Sequence, residues 1–316
     1  MTRRSGKRAA PVTVIGSANI DYLVRVESAP APGQTVLAGG LRKAPGGKGA
    51  NQAVAAARLG GTVAFVGCVG DDDDGAMLLR ELRAEGVDSA DVEIISRQNT
   101  GLAIVAVDRF GENSIIVVPG ANFALTETRV ARVVRRAEPE SLVVLQAEID
   151  PRIIRTAVRT AGQIGARAVL NLAPFVRLPS EVLAVCDPLV VNESEASALL
   201  EAPVDSVDAA RKGAEKLRRA VRSVVITLGA QGAVWADADG GGTVVAPVPA
   251  EVVDTTGAGD AFVGALAVRL AQGAALADAV ELGVAAGTFA VTREGAQSSY
   301  AMAADLTAVG APRLSG

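Results

Sequence analysis

The 316-residue chain contains no histidine. That absence excludes Ser-His-Asp and Cys-His catalysis and every histidine-containing zinc site, so proton transfer falls to carboxylates, Lys, Tyr or Cys. Cysteine is nearly as scarce. Cys68 and Cys186 each lie in an apolar stretch that reads as a buried strand or its end, which fits core residues in a reducing, cytoplasmic setting better than a disulfide framework. No run of about 18 apolar residues occurs, so no helix is expected to span a membrane and no membrane partner is implied. Charge of one sign is also lacking: 31 Lys and Arg stand against 35 Asp and Glu, a formal net charge of -4, which disfavours a broad nucleic-acid-binding surface.

What is present is core material. A hydrophobic content of 49% suits one large α/β domain or two ordinary ones. Residues 1–11, with Arg3, Arg4, Lys7 and Arg8 but no apolar segment before the first strand, read as a disordered basic tail and not as a signal peptide. With no internal repeat or linker after it, residues 12–316 read as one domain.

The most informative stretch is Asp254-Thr-Thr-Gly-Ala-Gly-Asp260, set directly against an amphipathic run that continues to about Ala271. Gly257, Ala258 and Gly259 have little side chain to keep a ligand away, so the free N–H groups of a first helical turn can face an anion. Asp260 sits in that same turn, where a carboxylate beside a bound phosphate can accept a proton from an attacking hydroxyl. The plainer reading stands beside it, because Asp near a helix start and Gly-x-Gly turns also occur for conformational reasons alone. A nicotinamide fingerprint fits poorly: the glycines come late in the chain and no third one completes the pattern.

Along the chain, Val12 to Ile20 reads as a buried strand opening into a site, with Asn19 and Asp21 on one side of an extended segment or in an Asx turn. Segments 22–44 and 101–118 show the short alternating patterns of a small sheet apart from the main one, suited to a lid. Pro45-Gly-Gly-Lys-Gly-Ala-Asn-Gln-Ala53 opens a helix to about Leu59; Gly46 and Gly47 permit close backbone approach, and Lys48 and Asn51 offer hydrogen-bonding heads. It is not a Walker A loop, since no Ser or Thr follows the Lys at the required place. The four acids Asp71 to Asp74 read as a helix cap. From Val118 onward β-α units alternate, which gives a mostly parallel sheet covered on both faces. Glu148, Asn171, Asn192 and Thr227 to Gly232 follow strands and are candidates for its ligand-binding edge. Asn192 and Glu195, three apart, fit either a capping pair or a hydrated magnesium site beside phosphates.

Taken in order, Gly16-Ser-Ala-Asn19-Ile-Asp21, Pro45 to Ala53, Gly120-Ala-Asn122, Gln146-Ala-Glu148, Asn192-Glu-Ser-Glu195, Thr227-Leu-Gly229 and Asp254 to Asp260 resemble the motifs of the ribokinase-like (PfkB) carbohydrate kinases throughout the chain. The resemblance implies a three-layer α/β/α fold with a mostly parallel central sheet and a small β lid. It implies transfer of the γ-phosphoryl of ATP to the 5-hydroxyl of a pentose, D-ribose before other pentoses, ketohexoses or nucleosides. A non-catalytic sugar-binding regulator on the same fold is the reading of another class.

By that resemblance Asp260 is the base, and Gly257, Ala258 and Gly259 form the anion hole. Asn19, Asp21, Gly46, Gly47, Lys48, Asn51 and Glu148 bind the sugar. Asn192, Thr227, Leu228, Gly229, Ala230, Gln231, Gly232, Gly259 and Val284 meet the nucleotide, with Val284 standing where the family often has His or Asn. Asn192 and Glu195 match the motif linked to magnesium, partly through water. Asp254, Thr256, Ala290, Arg293, Gly295 and Ser299 fall where the family places an activating potassium ion, and Ser298 stands where proline is frequent. The lid also implies a homodimer.

Overall fold

In the computed structural model of the protein, residues 9–109, 113–247 and 251–308 are described. The strands and helices in chain order begin with β1 (Val12–Ile15), β2 (Asn19–Arg25), β3 (Gly40–Gly46), α1 (Lys48–Arg58), β4 (Val63–Val66), β5 (Cys68–Gly70), α2 (Asp73–Ala84) and β6 (Glu93–Ile95). Next come β7 (Gly101–Val107), β8 (Asn113–Val118), α3 (Glu127–Arg136), β9 (Leu142–Leu145), α4 (Pro151–Ile164), β10 (Arg167–Asn171), α5 (Ser180–Leu183) and β11 (Cys186–Asn192). The chain closes with α6 (Glu193–Leu200), α7 (Val207–Leu217), β12 (Val224–Thr227), β13 (Ala233–Ala236), β14 (Gly241–Val244), α8 (Ala258–Ala271), α9 (Leu276–Ala290) and α10 (Ala303–Ala308).

Eight strands form the central sheet in the order β14-β13-β12-β11-β10-β9-β1-β4. The pairs from β4 to β12 are parallel, and β13 and β14 add an antiparallel edge. Its strands read as unbroken apolar runs because both faces are covered. Val144 of β9 packs into the cluster that contains α1, α8 and α9, while its neighbours Val143 and Leu145 face the cluster of α3, α4, α6 and α7. This is the three-layer α/β/α arrangement with a second, smaller sheet.

The smaller sheet runs β3-β2-β7-β8, with β2 and β7 parallel and the outer pairs antiparallel. Here the chain differs from the single strand expected over Val12 to Ile20. β1 ends at Ile15, and after Gly16 to Ala18 the chain enters the small sheet at Asn19. The packing at that point requires a glycine: a Cβ on Gly16 would collide with the Gln146 side chain and come within 2.9 Å of Gly49 Cα. Asn19 and Asp21 therefore belong to β2. The chain from Val63 to Gly70 divides likewise, β4 staying in the central sheet and β5 pairing with β6.

Residues 1–8 of the expected tail, and the turn at 110–112, lie outside the described residues. Ala10 and Pro11 are not tail: Ala10 N–H donates to Ala271 O at 2.8 Å, and Pro11 O accepts from Leu142 N–H at 3.0 Å. Asp72 caps α2, accepting from Gly75 N–H at 2.8 Å, as the capping reading of the four acids requires. Among the described residues no helix is long and apolar enough to cross a membrane.

Candidate active site

β1 has β4 on one side and β9 on the other, so the strand order reverses between β1 and β9. A crevice forms beyond the carboxyl ends of strands at such a point. It is bridged here by Ser17 Oγ, which donates to Glu148 Oε2 at 2.6 Å. The same carboxylate oxygen accepts from Lys48 N–H at 3.0 Å, in the opening turn of α1. Gly47, with φ +85°, has no room for a side chain: a Cβ would lie 2.7 Å from Asn19 N. Asn19 Oδ1 accepts from Asn122 Nδ2 at 2.7 Å, which fixes it across the small sheet. Asp21 lies above Gly46, so close that a Cβ there would strike its carboxylate.

Asp260 lies in the first turn of α8 and is buried. Its Oδ2 accepts from Asn51 Nδ2 at 3.0 Å, and its Oδ1 from Gln52 Nε2 at 2.9 Å. Burial pushes the carboxyl up; Lys48 and the two amide donors oppose that, and Glu148 adds to it. Asp21 is pushed up to about 7, by burial first and then by Glu148 and Asp260. Lys48 is held above its ordinary value by Asp260 against burial, with smaller contributions from Glu148, Glu195 and Asp21. Three carboxylates and one ammonium thus share a pocket, and a base of raised proton affinity suits proton abstraction near neutral pH.

The start of α8 has two different glycines. Gly257 is the left-handed N-cap, φ +76°, and its O accepts the first helical bond, from Ala261 N–H at 2.9 Å. The amides of Gly259 and Asp260 precede that ladder. A Cβ on Gly259 would meet nothing within 4 Å, so this glycine faces open space. Ala258 N–H points back to Thr255 O at 3.3 Å.

That open space continues into a cavity of about 400 Å³ lined by Thr227, Gly229, Ala230, Gly232, Ala258, Gly259 and Val284 among others. Most of its lining is apolar, Phe262 and Val291 included, as a flat heterocycle needs. Leu228 is buried and Gln231 exposed, and neither lines the cavity. Asn192 and Glu195 lie outside it and form a capping box: Glu195 N–H donates to Asn192 Oδ1 at 2.9 Å, and Asn192 N–H to Glu195 Oε2 at 2.8 Å. Burial pushes Glu195 up, partly offset by that backbone bond and by Lys48.

Behind α8 two loops are stitched together. Asp254 Oδ1 accepts from Thr256 N–H at 2.9 Å and Oδ2 from Gly295 N–H at 2.8 Å, while Val253 N–H donates to Val291 O at 2.8 Å. Partial burial would raise Asp254, but these hydrogen bonds and Arg42 hold it below its ordinary value. Ala290 O accepts from Arg293 N–H at 3.1 Å, the Arg293 side chain stacks 3.7 Å over the Phe289 ring, and Ser299 Oγ donates to Ala296 O at 2.7 Å. The donor set is an ionised carboxylate with main-chain carbonyls, hard oxygen ligands that fit a weakly hydrated monovalent cation. Among the described residues no cluster of three His, Cys, Asp or Glu is placed to hold a metal.

The sequence motifs pointed past several participants. Gln52, fully buried, donates to both Asp260 Oδ1 and Asn171 Oδ1 and accepts from Gln146 Nε2 at 2.6 Å. Gln297 Nε2 donates to Asn51 Oδ1 at 3.0 Å. For Gln52 a signal existed: a paired Asn-Gln inside an otherwise small and apolar helix.

A buried carboxylate at a bare helix start, set between a polar cluster and an apolar cavity on a doubly covered parallel sheet, defines a phosphotransferase with an alcohol acceptor. The pfkB family carbohydrate kinase model matches residues 9–302, and the chain belongs to that family. The chain is 36% identical over 289 residues to the ribokinase of Haemophilus influenzae, covering 91% of this chain and 94% of that one. It is also 36% identical over 300 residues to the ribokinase of Schizosaccharomyces pombe, with coverage of 91% and 94%. Among solved structures, Arabidopsis thaliana ribokinase complexed with ribose and ATP superposes with a TM-score of 0.88 at 32% identity, covering 95% of this chain and 98% of that one.

Proposed function

We propose that the protein is an ATP-dependent ribokinase, converting D-ribose and ATP to D-ribose 5-phosphate and ADP. The observation that carries the reading is the position of Asp260: its carboxylate closes the sugar-side cluster, while Gly259, one residue earlier, opens onto the apolar cavity. Asn19, Asp21, Lys48, Asn51 and Glu148 supply acceptors and donors for several sugar hydroxyls, with Gly46 and Gly47 allowing close approach. Asp260 takes the proton of the 5-hydroxyl as its oxygen bonds to the γ-phosphorus; the bond to the β,γ-bridging oxygen breaks and ADP leaves. Amides at the start of α8 stabilise the charge on the transferred group.

Asn192 and Glu195 would hold a nucleotide-borne magnesium ion, partly through water, and its charge would neutralise the phosphates. Asp254, Thr256, Ala290, Arg293, Gly295 and Ser299 would hold a potassium ion, chiefly through carbonyls, and its charge would fix the loop behind the anion hole. The small sheet acts as lid over the sugar. It also supports a homodimer: β8 is an edge strand whose consecutive residues Ile115 and Ile116 are 59% and 63% exposed, so both faces offer apolar surface for a second copy. Two buried free cysteines suit a cytoplasmic enzyme.

ADP release measured over pentoses, 2-deoxyribose, ketohexoses and nucleosides, with and without potassium, tests the assignment. Highest kcat/KM with ribose supports it, preference for another sugar moves the substrate, and no ADP from any of them favours a non-catalytic binder.

A further inference from the structure

Asp260 is held by a relay that reaches beyond the residues assigned above. Asn51 donates to it through Nδ2, and a carboxamide has two chemically distinct ends, so whatever occupies Oδ1 decides which end Asp260 meets. That occupant is Gln297, buried at the start of a short 3-10 turn, Gln297–Ser299. Gln297 is itself anchored. Arg58 Nη1 donates to Gln297 O at 2.5 Å and to Tyr300 O at 3.1 Å, and Arg58 is gripped at two points by Glu85, at 2.5 and 2.8 Å. One helix thus carries both ends of the arrangement, Asn51 in the first turn of α1 and Arg58 in its last. Two residues before Gln297, Gly295 N–H is bonded to Asp254.

We propose that Gln297 is a positioning residue for phosphoryl transfer: through Asn51 it fixes the donor that the Asp260 carboxylate meets, and so makes the 291–299 loop and the base one mechanical unit. This rests on the kinase reading above. Without the Gln297 donor, the Asn51 amide is free to turn. Asp260 then loses a hydrogen bond to its charged form, and the sugar loses a fixed amide.

The test compares Gln297→Met, which keeps length and removes the donor, with Gln297→Glu, which offers an acceptor and draws Asn51 Nδ2 away so that Oδ1 faces Asp260. In the full-length enzyme, Gln297→Met should lower kcat roughly 10-fold and raise the sugar KM, with the ATP KM within about twofold of wild type. Gln297→Glu should lose more. The acid limb of kcat should move to higher pH in the Met variant, since one hydrogen bond favouring the carboxylate is gone. The other charged or titratable groups around Asp260, namely Lys48 of α1, Glu148 beyond β9, Asp21 of β2 and Tyr300, are unchanged by the substitution.

Thermal midpoints separate positioning from folding. A selective defect with midpoints within about 2 °C of wild type is the expected result. Kinetics within twofold of wild type in both variants, or a uniform loss that tracks a fallen midpoint, would overturn the proposal. Wild-type ADP release in the same assay tests the kinase reading separately.

Discussion

Gly257 and Tyr300 are packed so closely that a Cβ on the glycine would come within 2.6 Å of the tyrosine hydroxyl, whereas two residues on, a Cβ on Gly259 would meet nothing. The two glycines at one helix start therefore do different work. Gly257→Ala should destabilise the fold by roughly 1–3 kcal/mol, through the left-handed backbone and the crowding together. Gly259→Ala should fold as well as wild type yet lose roughly 10-fold or more in turnover, because its methyl occupies the space the transferred phosphate needs. Urea unfolding and steady-state rates on the two variants check the contrast. Equal stability losses would mean that Gly259 is structural as well.

Asp21 gives the sugar-free protein a pH signature. Its folded carboxyl is pushed up to about 7 while the unfolded one stays near 3.8, so between those values the folded chain binds more protons. Stability from this group is therefore present at low pH and lost as pH rises towards 7. The difference in thermal midpoint between wild type and Asp21→Asn should widen in favour of the variant by about a few degrees from pH 5 to pH 8. A difference flat with pH would show that Asp21 titrates as an ordinary carboxyl.

The capping box separates the two roles open to Glu195. Gln at that position can still accept from Asn192 N–H, so Glu195→Gln should leave the thermal midpoint nearly unchanged. If Glu195 also holds hydrated magnesium, the magnesium concentration for half-maximal turnover should rise several-fold. An unchanged magnesium requirement assigns the residue to the helix start alone.

Local chemistry made much of this legible from the sequence. α4 runs Pro151–Ile164 between local signals, Asp150 as its cap and Gly165 in the left-handed conformation after it, and α8 ends at Ala271 where the pattern predicts. The bare helix start and Asp260 stood out for the same reason, since their meaning lies within a few neighbouring residues. What escaped was set by distant partners. Val12 to Ile20 does not mark the switch of sheet after Ile15, which shows only in the pairing of β2 with β3 and β7. Gln52 and Gln297 reach Asp260 and Asn51 across 208 and 246 residues of chain, so their roles exist only once the sheet and helices have assembled. Asn192 and Glu195 lay between these cases, because three-residue spacing serves a cap and a metal site equally well.

Asp260 taking the proton of the acceptor hydroxyl is the central step. Turnover and nucleotide affinity measured together in Asp260→Asn test this most directly. The expected result is a fall in kcat of roughly 10²- to 10⁴-fold with the ATP dissociation constant nearly unchanged. Turnover close to wild type in a variant that still folds and binds ATP would contradict it.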